Sequence, residues 1–227
     1  MKPINNAKYR SKRHSMKKKF ESFSVPLGLL DYGNPIFYTV TMVTIIKNMY
    51  GVMDKPFNVI LLIGAIISIF FGLIIPTGKV IVGLGIIEFR MPVSLVACVN
   101  TGILISGLMM LRHVLDLSLA VLAIILLLAI AALYKIYSKS KKFNTVAVMT
   151  GAIGYMLLYA SLIILSVEKG IMLPILFYAL AIVFFFMLCG IGIKADLKNP
   201  KIHWVIEISN VMCQFLVAVG TVILFSR

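Results

Sequence analysis

Residues 203–221 read HWVIEISNVMCQFLVAVGT, and this stretch decides the fold. Glu207, Asn210 and Gln214 interrupt an otherwise apolar run. Counted from His203, they follow at spacings of four, three and four. At 3.6 residues per turn they fall on one stripe of a helix, and Thr221 returns to it. The other faces carry Val, Ile, Leu, Met and Phe. Such a segment is a membrane helix with one wet or hydrogen-bonded edge.

Composition extends this reading to the whole chain. Of 227 residues, 61% are hydrophobic and only 13% charged. Soluble chains carry about 25% charged residues, so lipid is the expected solvent for most of this surface. At this length one all-α bundle is expected, with no second domain. The net charge is +14, and eight of the 22 Lys and Arg residues lie in the first 19 positions. An evenly basic surface would point to nucleic acid. A basic tail beside membrane helices is instead a topology signal and a contact for anionic lipid. Residues 1–34 are therefore assigned to a basic cytoplasmic tail and an interfacial entry segment, and 35–227 to the transmembrane bundle. No cleavable signal peptide is expected. Cys98, Cys189 and Cys213 lie in apolar stretches without a CxxC pair, so packing is their expected role.

Seven spans of about 20 residues fit the chain: 35–53, 57–75, 91–112, 115–135, 144–166, 171–193 and 202–225. With the N-terminus inside, the predicted inner segments and the inner end of the fourth span hold 17 Lys and Arg, and the outer segments hold four. That asymmetry predicts a cytoplasmic N-terminus and an external C-terminus. Residues 79–90, KVIVGLGIIEFR, are read as a re-entrant or interfacial element, with an eighth crossing as the alternative. Ile60–Lys79 aligns without gaps on Ile175–Lys194, with seven of twenty positions identical. Both segments are second in a group of three spans if the uniformly apolar fourth span is a lipid-facing linker. That is the 3+1+3 plan of parallel repeats.

Four polar residues are the expected ligand-binding set: Glu207, Asn210, Gln214 and Asn100. Asn100 and Asn210 each lie about 12–14 Å inside their spans. An amide there must be paired or face the bundle interior. Interhelical glue and a small polar cavity are the two readings. Glu207 is the only acid well inside a predicted span, and intramembrane acids serve as proton carriers or counter-ions. Placement in the first turns of its helix, where the macrodipole favours a carboxylate, is the structural alternative. His203 and Glu207, at i and i+4, form a candidate proton relay. Two ligands do not make a metal site, and no cofactor-binding or nucleophile motif is present, so neither metal nor cofactor is expected. Tyr155 and Tyr159 read as packing, and Gly151 and Gly154 as a close helix approach.

Two stretches, GAIISIFFGLIIPTGKVIVGLGIIEF (64–89) and IHWVIEISNVMCQFLVAVG (202–220), resemble the lysoplasmalogenase-like family of integral membrane proteins. The resemblance implies a membrane helix bundle, of eight helices in that family, that handles lipid. The family's acidic motifs would fall at Gly72–Leu73 and near Cys189–Gly190, where no acid stands. Lipid binding is thus implied more than vinyl-ether hydrolysis. The reading overall is a multi-pass protein of a bacterial plasma membrane that binds or transports a small molecule. The alternatives are a lysoplasmalogenase-like lipid-handling enzyme and an accessory membrane subunit.

Overall fold

The computed structural model describes residues 24–86, 92–194 and 200–226, with the side chains of 189–194 and 200 excepted. The described residues form eight helices: α1 Val25–Asp31, α2 Gly33–Met49, α3 Phe57–Gly83, α4 Val93–Val114, α5 Leu119–Ser140, α6 Phe143–Glu168, α7 Leu173–Lys194 and α8 Pro200–Phe225. Five of them, α3, α4, α5, α6 and α8, are long and apolar enough to cross a membrane. Helix α2 has 17 residues, and the described apolar stretch of α7 is Leu173–Leu188.

Six helices close a ring. Going round it, α2 packs on α3, α3 on α4, α4 on α6, α6 on α7, α7 on α8, and α8 back on α2. Helix α5 lies outside, against α6 alone among the extensive contacts, and buries none of its residues. Short α1 packs against α3 and α8 at one end of the ring.

Burying leucine away from lipid gains little, because lipid tails are as apolar as leucine; close packing and interhelical hydrogen bonds hold such a bundle together. The crossings show this. Where α3 meets α4, a Cβ on Gly102 would run into Ser68 and the carbonyl of Gly64. Ser68 Oγ donates to Gly64 O (2.9 Å) and also reaches Val99 O on α4 (3.2 Å). Where α4 meets α6, a Cβ on Gly154 would lie 2.6 Å from Leu104 N. A Cβ on Gly107 would strike the Gly154 carbonyl. Close approach at Gly151 and Gly154 is thus present, Gly154 against Gly107 and Gly151 against the side chain of Asn100.

Residues 24–34, read as an entry segment, are largely helical. Ser24 caps α1, accepting from Leu27 N, and the chain turns at Tyr32 into α2. The break has a local cause. Pro35 has no N–H to return to Asp31 O, four residues back, and its ring would crowd that carbonyl. The expected boundary that fails is the end of 57–75. Helix α3 runs on through Pro76 to Gly83, so 79–83 is its last turn rather than part of a separate re-entrant element or an eighth crossing. Residues 87–91 lie outside the described residues. In lipid a helix tolerates proline, since neighbours satisfy the freed carbonyl, and Pro76 is buried inside the bundle. The basic tail, residues 1–23, also lies outside the described residues.

Candidate functional site

The two proline positions and the polar stripe of α8 meet in one place. Pro35 puts Asp31 at the end of α1 and Asn34 at the start of α2. Helix α3, continued past Pro76, carries Lys79 to the same level. Helix α8 brings Glu207, about 10 Å from its own start. Lys79 Nζ donates to Glu207 Oε1 (2.5 Å) and lies 2.7 Å from Asp31 Oδ2. The Asp31 contact is an ion pair. Asn34 Nδ2 donates to the other Asp31 oxygen (2.7 Å). The three charged side chains are only 14% (Lys79), 7% (Asp31) and 12% (Glu207) exposed. Tyr32, in the break itself, shares a 2.7 Å hydrogen bond with Thr77 on α3, two residues before Lys79.

This cluster lines a cavity of about 270 Å³ inside the ring. Polar lining comes from Asp31, Asn34, Tyr38, Ser68, Lys79, Asn100, Glu207 and Asn210; Ile75, Val99, Ile103, Ile206 and Tyr155 supply apolar walls. Tyr38 is buried, and its hydroxyl, which meets no acceptor at full hydrogen-bond geometry, lies beside those of Ser68 and Ser106. Ser68 and Ser106 beside it give their own protons to Gly64 and Gly102. Asn34 Oδ1 is without a partner. Tyr38 and Tyr155 meet edge to face, 6.3 Å between ring centres.

The structure thus brings together three of the four expected ligand residues: Glu207, Asn210 and Asn100. Asn100 also bridges helices, its Nδ2 donating to Ala147 O on α6 (2.8 Å). Gln214 is not among the lining residues. It is buried one turn further along α8, facing the hydroxyls of Tyr155 and Tyr159. Further still, Tyr178 donates to Thr221 (3.4 Å), so the polar stripe faces inward along its length. Glu207 pairs with Lys79 on another helix, a partner the sequence reading did not name. Tyr155, read as packing, is a cavity wall.

Five polar lining residues escaped sequence reasoning: Asp31, Asn34, Tyr38, Ser68 and Lys79. Asp31 fell in the supposed entry segment and Lys79 in a supposed inner loop. One signal was available for Lys79. It stands alone in LIIPTGKVIVGL, apolar on both sides, and the span boundary set at residue 75 left it out of the helix. Among the described residues no group of three His, Cys, Asp or Glu side chains could hold a metal. Neither a protein-family model nor a curated protein nor a solved structure matches the chain.

Proposed function

We propose that this protein crosses the membrane seven times, N-terminus inside and C-terminus outside, and binds a small solute in the cavity on its way across. The observation that carries the reading is the Asp31–Lys79–Glu207 cluster at the wall of a polar cavity inside the ring. Ionisable groups are expensive within a membrane protein and mark pathways where they occur. Broken or proline-bearing helices next to such a cavity are the usual construction of solute sites in transporters. Adding α1, α2 and α7 to the five long helices supplies the crossings. In this arrangement the α2–α3–α4 and α6–α7–α8 triplets are the two halves and α5 is the linker, which supports the parallel-repeat plan. The cavity then opens toward the cytoplasmic side, where α2, α4, α6 and α8 begin.

The test is ligand-dependent stability. A solute that binds only the folded state raises apparent stability by mass action. Purified protein in detergent is heated with a panel of amino acids, amines, sugars, organic anions and lysolipids. Stabilisation by at least one panel member, lost in Gly72→Phe, is expected. A Cβ at Gly72 meets only Pro35, at an ordinary 3.4 Å, and Gly72 lines the cavity, so an aromatic ring there fills the space. A panel without effect on wild type, or an effect equal in Gly72→Phe, defeats the reading. Stabilisation confined to lysolipids, with their cleavage by the pure protein, would favour the lysoplasmalogenase-like alternative, with Asp31 and Glu207 as its acid–base pair.

A further inference from the structure

We infer that the cavity takes a small organic cation bearing a primary ammonium group, held by the carboxylates of Asp31 and Glu207 beside Lys79. The inference rests on the solute-binding reading above and names the chemical class.

Charge balance is the first ground. Among the described residues Asp31, Glu207 and Lys79 are the charged groups lining the cavity, so with both carboxylates ionised they outnumber the one ammonium by one. A buried charge without a partner is costly. A neutral solute leaves the excess in place and an anion doubles it. A cation completes the set.

The second ground is the direction of the hydrogen-bonding capacity. Asn34 Oδ1 has no partner and can only accept. Asn100 has given an N–H to Ala147. The Tyr38 hydroxyl on the same wall, beside Ser68 and Ser106, can accept as well as donate. Lys79 is engaged on both sides by Asp31 and Glu207. A ligand rich in N–H donors fits this surface.

The third ground is size and apolarity. A volume of about 270 Å³ equals that of about nine water molecules at ~30 Å³ each. That suits a molecule of amine or amino-acid dimensions. The aliphatic wall of Ile75, Val99, Ile103 and Ile206 offers nothing to a bare metal ion, which needs a shell of oxygens, but suits a short carbon chain. Lys79 itself ends in such a chain and such a head group, and so shows what the carboxylates accept.

The experiment uses the full chain in detergent with four probes at equal ionic strength: n-butylammonium chloride, n-butanol with sodium chloride, sodium butyrate, and sodium chloride alone. Stabilisation by butylammonium only is expected, with saturable heat in a calorimetric titration. Glu207→Gln removes the excess charge and should weaken butylammonium at least about tenfold, or 1.4 kcal/mol. Asp31→Asn should do the same and serves if Glu207→Gln does not fold; the wild-type titration stands if neither does. Butanol or butyrate acting as well as butylammonium would overturn the inference while leaving solute binding intact. Sodium chloride alone giving the whole effect would overturn it in favour of an inorganic ion. Silence from all four probes overturns it too; the wider panel then decides whether the solute-binding reading falls with it.

Discussion

Lys79 and Glu207 are 128 residues apart in the chain and 2.5 Å apart in space. Their pairing ties α3 to α8, two helices that belong to opposite halves of the ring. It also brings Asp31, at the end of α1, into the same knot.

Removing Lys79 therefore strands two carboxylates in the bundle. Breaking a buried ion pair from one side costs about 3–5 kcal/mol. Lys79→Gln should lower the thermal midpoint in detergent sharply. Adding Glu207→Gln should restore part of the loss, with a coupling of about 0.5–3 kcal/mol. Strictly additive effects in the two singles and the double would show that the pair is not formed.

The glycine crossings predict a second pattern. Gly102→Ala pushes a methyl into Ser68 and the backbone of α3, and overpacking of this kind costs about 1–3 kcal/mol. Gly51 meets nothing within 4 Å, so Gly51→Ala should stay within about 0.5 kcal/mol. Denaturation in a fixed detergent compares the two; equal effects would contradict the close approach of α3 and α4.

At the opposite end from the cavity, Arg112 lies 3.9 Å over the ring of Phe57 and 3.0 Å from Asp54. Asp54 is 65% exposed, so that ion pair is worth about 0–1 kcal/mol. The ring contact, with Phe57 buried, is worth up to about 2 kcal/mol. Arg112→Ala should destabilise more than Asp54→Ala. The reverse order in a thermal scan would mean that the carboxylate, not the ring, holds the guanidinium.

Helix α5 buries nothing, and Leu127 and Leu128 are 65% and 66% exposed. A tryptophan at Leu127 should be quenched strongly by brominated lipid, and Leu127→Ala should be nearly neutral. Leu162, fully buried, should cost about 2–5 kcal/mol on truncation to Ala. Fluorescence in bilayers and unfolding in detergent give the two readouts. An unquenched tryptophan at 127 would place α5 against protein.

Much of the fold was legible because its signals are local. Apolar runs between polar breaks located α4 to α8 within a few residues, and the polar stripe of α8 gave the inward edge of that helix. The same stripe carried two residues of the cavity wall, Glu207 and Asn210. The one misplaced boundary and the unforeseen helix α1 both involve proline. Pro35 separates α1 from α2 by one residue, while Pro76 sits inside a helix that continues. Whether a proline stops a helix depends on what satisfies the freed carbonyl and relieves the clash, and neighbouring helices decide that.

What the chain determines by itself is an all-helical, lipid-compatible bundle, because helix length, apolar content and face are set by residues within a turn or two of one another. Which charges meet was decided only by the tertiary structure. Asp31, Lys79 and Glu207 lie in three different helices, and none of the three is marked by its local sequence as a partner of the others. Ring closure brings them within reach. A buried charge that could not find its opposite would be too costly for the bundle to keep, so it is their meeting, rather than any one of them, that defines the site.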